Sequence, residues 1–169
     1  MHEPRPGGVP GSCLCGAVRF EVDLPTLVCA HCHCAMCRKS HGAGYVTWFS
    51  VPRSQLRCLA GDDRLVRFAS SDHGTRSFCG ECGSSLFFET TRHPENLDVV
   101  LANMDAAIDR DPQIHAFFSD RAAWVQVEDS LPRLGGATGF EPLESPRDRA
   151  TPTDSEAPPR LGEASGKGA

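Results

Sequence analysis

The sequence predicts one mainly β domain that is stabilised by bound metal. Three observations support this prediction: short β-branched or aromatic runs, frequent Gly, Pro, Asp and Ser residues between them, and nine cysteines in closely spaced groups. The chain of 169 residues is long enough for one ordinary domain and too short for two well-packed ones. Hydrophobic residues make up 40% of the chain, which allows a buried core.

The predicted strands are short apolar runs bounded by turn residues. Residues 17–22 alternate between apolar and polar side chains, as expected for a half-buried strand. Six more runs are predicted as strands: residues 45–51, 64–69, 85–89, 97–102, 114–118 and 123–127. Only residues 35–41 and 54–56 are helix candidates. The expected fold therefore has seven or eight strands with one or two short helices.

Composition places the folded domain at residues 12–136. Residues 1–11 hold three prolines and three glycines and are expected to be a flexible N-terminus. Residues 137–169 hold five prolines and a single aromatic residue, Phe140. This segment cannot bury enough apolar surface to offset its ordering entropy, so we predict a disordered tail.

Charge and hydropathy exclude several classes of partner. The net charge is −5 and the 17 basic residues are scattered, so no basic patch indicates nucleic acid. No apolar run approaches the roughly 18 to 20 residues of a membrane span, and the first residues do not resemble a signal peptide. We therefore expect a cytoplasmic protein, in which the cysteines are metal ligands or catalytic groups and not disulfides.

Two cysteine pairs have the spacing of metal half-sites. Cys79 and Cys82 form a C-x2-C pair and Cys13 and Cys15 a C-x-C pair, and each pair is followed by glycine. Together the pairs would supply the four ligands of one structural zinc. Spacing alone leaves other pairings open: the four cysteines between positions 29 and 37 could form a site by themselves, or two of them could complete another half-site.

A third group, Cys32, Cys34 and Cys37, offers three sulfurs to a second zinc. Three protein ligands and one open position are typical of a catalytic zinc. Three thiolates make the metal electron-rich, so it suits a soft fourth ligand such as a substrate thiol better than it suits water activation. The alternative is a second structural site that is closed by Cys29, His31 or His33.

Four segments together resemble the family of glutathione-dependent formaldehyde-activating enzymes, which also includes centromere protein V. They are GSCLCGAVRF at 11–20, CHCAMCRKSHGA at 32–43, RSFCGECGSSL at 76–86 and HAFFSDRAAWV at 115–125. The resemblance implies a β-tent fold of short antiparallel strands with two zinc ions per chain. It implies a structural zinc on Cys13, Cys15, Cys79 and Cys82, and a catalytic zinc on Cys32, Cys34 and Cys37.

The resemblance also implies a reaction. Glutathione would add to formaldehyde to give S-hydroxymethylglutathione, the chemistry of a carbon–sulfur lyase, with a small thiol and an aldehyde as partners. His33 is a candidate catalytic residue because it lies between two ligands, and Arg38 and Lys39 are candidates for binding the carboxylates of glutathione. Cys29 and Cys58 are expected to be buried thiols outside both zinc sites.

Other functions remain open at this point. The chain could be a zinc-stabilised binding module in which neither metal does chemistry. It could also be a redox sensor that uses Cys29 together with the central cluster of Cys32, Cys34 and Cys37. Eight aromatic residues are expected in the core and not in a binding surface: Trp48, Phe49, Phe78, Phe87, Phe88, Phe117, Phe118 and Trp124.

Overall fold

The computed structural model describes residues 7–143 and confirms a mainly β fold with largely antiparallel sheets. The strands are β1 (Val9–Ser12), β2 (Arg19–Val22), β3 (Val28–Cys32), β4 (Val46–Pro52), β5 (Leu56–Ala60), β6 (Leu65–Ser71), β7 (Gly74–Cys79), β8 (Ser85–Thr90), β9 (Asn96–Val100), β10 (Ile114–Ala116), β11 (Leu134–Gly135) and β12 (Glu141–Pro142). Residues 7–143 contain one α-helix, α1 (Ala35–His41), and four short 3-10 turns.

Helix α1 begins and ends at residues with clear capping roles. The Cys34 sulfur accepts a hydrogen bond from the backbone N–H of Cys37, so this cysteine serves as the N-cap. At the other end Gly42 takes a left-handed conformation with φ 61°, and its N–H donates to the carbonyl of Arg38. The predicted helix at residues 35–41 is therefore confirmed.

The strands form a seven-stranded sheet, a three-stranded sheet and a two-stranded pair. The large sheet has the order β10-β3-β4-β9-β8-β7-β6, and the smaller sheets are β1-β2-β5 and β11-β12. All pairs are antiparallel except β10 with β3, which run parallel. This parallel pair sets His115 opposite His31 and Ala116 opposite Cys32, so residues distant in sequence meet beside the central cysteine cluster.

Six of the seven predicted runs contain a strand, and the seventh does not. Residues 123–127 form a turn and irregular chain. They pack closely against Gly44 in the loop before β4. A Cβ atom added to Gly44 would lie only 2.7 Å from the Val125 side chain and 3.0 Å from that of Trp124. Trp124 is 73% exposed, so its predicted place in the core is wrong. Sequence patterns did not predict six strands, β1, β3, β5, β7, β11 and β12, two of which end in a cysteine of a metal cluster.

Two apolar clusters form the core on different parts of the sheets. The larger one includes Phe20, Phe49, Leu86, Val99 and Cys29, all with an exposed fraction of 0%. The smaller one contains two cysteines of the third group and consists of Cys34, Cys37, Val46, Trp48 and Val100. Cys32, Phe88 and Phe117 pack against it. The metal-ligand candidates of the central cluster therefore lie within a packed environment.

The ordered fold extends beyond the predicted domain limits of 12 and 136. Strand β1 begins at Val9, and β12 ends at Pro142 within the segment that was predicted to be a tail. The Phe140 ring packs edge-on against that of Phe117, with 5.9 Å between the ring centroids. Residues 1–6 and 144–169 of the predicted termini lie outside the described residues. No helix within 7–143 has the length and apolar character needed to cross a membrane.

Candidate metal centres

The first centre brings together the four sulfurs of Cys13, Cys15, Cys79 and Cys82. All four lie within 4.8 Å of one another, and the Cys15 sulfur is 3.5 Å from that of Cys13 and 3.9 Å from that of Cys79. Four converging sulfurs match the ligand set of a structural zinc. Of the open pairings, the structure favours the one that joins the start of the domain to the β7–β8 turn.

Two tight turns create this convergence. Gly16, with φ 73°, follows Cys15, and Gly83, with φ 75°, follows Cys82; both take a conformation that favours glycine. Backbone and hydroxyl donors surround the sulfurs, including the N–H of Val18, 3.2 Å from the Cys13 sulfur. The hydroxyl and the backbone N–H of Ser84 donate toward Cys82 and lower its thiol pKa to about 6. A thiolate, which is the form that binds metal, is therefore favoured at this position.

The second centre is formed by Cys32, Cys34 and Cys37 at the junction of β3 and α1. Their sulfurs also lie within 4.8 Å of one another, and Cys34 and Cys37 are buried. Hydrogen bonds from Cys32 and Cys34, together with the positive charge of Arg76, lower the thiol pKa of Cys37 to about 2. The pKa of Cys32 is raised because its thiol donates to the other two sulfurs and is buried. A soft divalent cation would replace the shared protons, so the donor set fits zinc.

No other Cys, His, Asp or Glu within residues 7–143 has a ligand atom within 4.8 Å of all three sulfurs. Cys29 lies in the larger core cluster, three residues before Cys32 on a strand whose side chains alternate between faces. Burial raises its thiol pKa to about 11. His31 bonds to the hydroxyl of Thr47 at 2.8 Å, and His33 bonds to His115. Cys29, His31 and His33, the candidates for a fourth ligand, thus lie in the core or bond to other residues.

A chain of hydrogen bonds leads from His33 to the protein surface. Nε2 of His33 lies 2.8 Å from Nδ1 of His115, and Nε2 of His115 lies 3.0 Å from the carboxylate of Asp129. A carboxylate only accepts, so His115 donates through Nε2; in its neutral form it accepts at Nδ1 from His33. Neutral His33 then carries a lone pair on Nδ1, a buried atom with no hydrogen-bond partner in the described part of the chain.

The sequence reading missed Arg76, a buried cation beside the second centre. Its Nη2 atom lies 3.5 Å from the Cys37 sulfur, and its guanidinium carbon lies 4.9 Å from the centroid of the Phe88 ring. Only 7% of Arg76 is exposed. The signal in the sequence was weak, since an arginine next to a serine on a strand usually faces solvent.

Arg38 and Lys39, which were predicted to bind substrate, occupy different environments. Arg38 donates from Nε to the carbonyl of His33 at 3.1 Å and from Nη2 to the carbonyl of Asp120 at 3.0 Å. It therefore links α1 to the segments on either side of the site. Lys39 is exposed on α1, two residues after the last sulfur of the second centre.

Cys58, expected in the core, is half-buried on β5. Its sulfur donates to the carbonyls of Ala60 at 3.4 Å and Arg19 at 3.7 Å. Burial raises its thiol pKa. Like Cys29, it lies outside both sulfur groups.

Comparisons with known proteins cover the part of the chain that holds both centres. The family model described as glutathione-dependent formaldehyde-activating enzyme matches residues 8–120, which include all seven cysteines of the two groups. A Halomonas elongata protein that carries this family name is 32% identical over 125 residues, covering 70% of this chain and 80% of its own length. A Podospora anserina protein of the same name is 36% identical over 120 residues, covering 68% of this chain and 55% of its own length.

Two further relatives extend the comparison. An uncharacterized lyase of Schizosaccharomyces pombe is 32% identical over 88 residues, covering 48% of this chain and 57% of the relative. The chain therefore spans little more than half the length of the two fungal relatives. The crystal structure of a Rhodobacter sphaeroides protein superposes with a TM-score of 0.51 at 28% identity, covering 60% of this chain and 93% of that one.

Proposed function

Because the chain belongs to the family of glutathione-dependent formaldehyde-activating enzymes, we propose that it is a zinc-dependent enzyme that joins a small thiol to an aldehyde. The proposed reaction is the addition of glutathione to formaldehyde, which gives S-hydroxymethylglutathione, or the same carbon–sulfur lyase chemistry with a related pair. One observation carries the proposal: within residues 7–143, three sulfurs converge at the second centre without a fourth ligand from the chain.

Cys32, Cys34 and Cys37 are the residues that would hold the catalytic metal. When bound there, zinc supplies a position for a substrate sulfur and favours its thiolate form. The chain contributes an apolar surrounding that includes Trp48 and Phe88. An apolar surrounding strengthens the electrostatic effect of each nearby charge.

Cys13, Cys15, Cys79 and Cys82 have a structural role in this proposal. They connect the turn after β1 with the turn between β7 and β8, and β7 also carries Arg76. A metal at this centre would therefore fix the strand that brings the guanidinium to the Cys37 sulfur. Four protein ligands leave no position for substrate, which suits a structural site.

We assign substrate contacts to residues around the second centre. Lys39 is exposed and can receive a carboxylate of glutathione, whereas Arg38 holds the neighbouring backbone in place through its two carbonyl contacts. His33, held by its hydrogen bond to His115, orients the neighbouring ligands Cys32 and Cys34. Bringing both reactants together would supply most of the rate enhancement, because the uncatalysed addition is already easy.

The test measures the exchange of formaldehyde between its free form and the glutathione adduct by NMR. Zinc-loaded wild-type protein should accelerate this exchange, and Cys37→Ser should abolish the acceleration. Cys29→Ala is the matched control, because Cys29 lies outside the sulfur group, and it should retain the wild-type rate. A Cys37→Ser protein with full activity would remove the second centre from the reaction. Wild-type protein with both zinc ions and no acceleration would rule out this substrate pair.

A further inference from the structure

We propose that Arg76 is a catalytic residue whose Nη1 group binds the aldehyde oxygen as negative charge develops on it. The inference rests on the proposed function and adds to it the group that stabilises the oxygen. Neither the cysteine spacing nor the predicted substrate contacts included this residue.

Arg76 reaches the second centre from the neighbouring part of the sheet. It lies on β7, opposite Phe88 of β8, and Phe88 lies opposite Asp98 of β9. Directly opposed residues in neighbouring strands place their side chains on the same face of the sheet. This face also carries the apolar cluster around the sulfurs, which contains Phe88. The guanidinium is therefore inside the site and not on its rim.

Two of the contacts made by the guanidinium have clear roles. Nη2, 3.5 Å from the Cys37 sulfur, supplies positive charge to a group of three sulfurs that would carry excess negative charge with a dication. The Phe88 ring, 4.9 Å from Cζ, covers one face of the guanidinium plane. These contacts hold the side chain in a single orientation.

Neither of these two contacts involves the Nη1 atom of Arg76. The atom is buried and has no hydrogen-bond partner among the described residues. Asp98, the carboxylate in the same cross-strand row, bonds to the hydroxyl of Ser50. A buried donor on a permanently charged group is costly to leave unpaired, so Nη1 is available to a partner that arrives with the substrate.

The reaction supplies such a partner on the aldehyde oxygen. The thiolate sulfur attacks the carbonyl carbon, a C–S bond forms, and the π pair of the C=O bond moves onto oxygen. The resulting alkoxide accepts hydrogen bonds, and it then takes from water the proton that the thiol lost on ionisation. No oxidant or further reactant is needed. A fixed donor at the oxygen lowers the barrier because its interaction strengthens as the charge develops.

The competing role for Nη1 is to bind a carboxylate of glutathione. The two roles can be separated with a second thiol, 2-mercaptoethanol. It has no carboxylate, but its addition to the aldehyde forms an equivalent alkoxide. Loss of alkoxide binding should slow both thiols equally, whereas loss of carboxylate binding should affect only glutathione. The apolar side chains of Phe88 and Trp48 in this cluster suit a neutral aldehyde better than a charged carboxylate.

The experiment compares wild type with Arg76→Lys and Arg76→Gln. For each zinc-loaded protein, zinc content, thiol affinity by calorimetry, and kcat and KM for adduct formation are measured with both thiols. Lysine keeps the positive charge but cannot reach the Cys37 sulfur and the oxygen together. We expect Arg76→Lys to keep two zinc ions and its thiol affinity, while kcat falls about a hundredfold with both thiols.

Several outcomes would overturn the assignment. Wild-type kcat in Arg76→Lys would show that charge alone suffices, and a loss confined to glutathione would assign Nη1 to the carboxylate. Zinc loss or failure to fold in both variants would make the residue structural. If wild-type protein itself accelerates neither reaction, the proposed function fails, and the assignment of Arg76 to the aldehyde oxygen fails with it; wild-type activity that Arg76→Lys retains overturns the assignment alone.

Discussion

Nε2 of His33 lies 2.8 Å from Nδ1 of His115, although 82 positions separate the two residues. The parallel pairing of β10 with β3 creates this contact and places it beside the cysteines of the second centre. Asp129 then connects His115 to the surface, at 3.0 Å from its Nε2. The segment between Cys32 and Cys34 is thus fixed by a distant part of the chain.

Replacing Asp129, the last member of this series of hydrogen bonds, should weaken the fold. Asp129→Asn removes the charged acceptor of His115, whose side chain is 1% exposed, and should lower the free energy of unfolding by about 1 kcal/mol. The measurement is denaturant unfolding of the zinc-loaded protein at neutral pH. Glu128→Gln, an exposed neighbour, is the control and should leave the midpoint unchanged. Equal midpoints for the two variants would contradict this role of Asp129.

The histidine chain also predicts a pH dependence of stability. Burial, followed by the charge of His115, lowers the pKa of His33 from 6.5 to about 3. Between these values the unfolded chain binds more protons than the folded protein, so stability falls as the pH decreases below 6.5. The loss attributable to His33 should reach about 2 kcal/mol at pH 5 relative to pH 7.

This dependence is checked by unfolding at pH 7, 6 and 5 with zinc content followed in parallel. His33→Gln should show a shallower decline than wild type, because the group that resists protonation is gone. His73→Gln, on the exposed β6–β7 turn, should retain the wild-type slope. The same slope in all three proteins would mean that His33 does not resist protonation in the folded state.

The two cysteines outside the metal centres should differ in reactivity. Burial raises the thiol pKa of Cys29 to about 11, and this residue has an exposed fraction of 0%, whereas Cys58 is half-buried on β5. In zinc-loaded protein at pH 8, iodoacetamide should label Cys58 slowly and leave Cys29 unmodified. Cys58→Ser should abolish labelling, as followed by mass spectrometry. Modification of Cys29 in folded protein would show that the core around β3 opens.

Two glycines with positive φ should respond differently to alanine. At Gly61, with φ 77°, a Cβ atom would lie 2.1 Å from the Ala17 carbonyl oxygen, and that backbone cannot move without disturbing β2. At Gly42, with φ 61°, a Cβ atom would meet nothing within 4 Å. Gly42→Ala should cost about 1 kcal/mol of stability, and Gly61→Ala about 3 kcal/mol or more. Thermal unfolding of both variants tests the difference, and equal losses would contradict it.

The sequence allowed part of the site to be predicted because part of its geometry is local. Cys34 and Cys37 share one helical turn and Cys13 and Cys15 one tight turn, so their spacing already indicates convergence. His115 reaches the second centre through the pairing of β10 with β3, Asp129 through its hydrogen bond to His115, and Arg76 through its place on β7. No local pattern distinguishes them from ordinary surface residues.

The strand predictions show the same limit. β3 and β7 were missed because their cysteines interrupt the usual strand composition, although both pair on two sides within the large sheet. Residues 123–127 have the composition of a strand, yet they pack on Gly44 without joining a sheet. Glu21 is buried in β2 despite its charge because the Arg57 guanidinium pairs with it. Tertiary partners decided each of these cases.

We propose that the second centre has three sulfur ligands and takes a substrate thiol as its fourth. Cadmium-113 NMR tests it directly, because the shift of the cadmium nucleus depends on the number of bound sulfurs and cadmium occupies the same thiolate sites as zinc. Protein loaded with two cadmium ions should give one four-sulfur and one three-sulfur resonance. Glutathione should move only the second resonance to the four-sulfur position. Two four-sulfur resonances before glutathione is added, or no movement afterwards, would contradict the account.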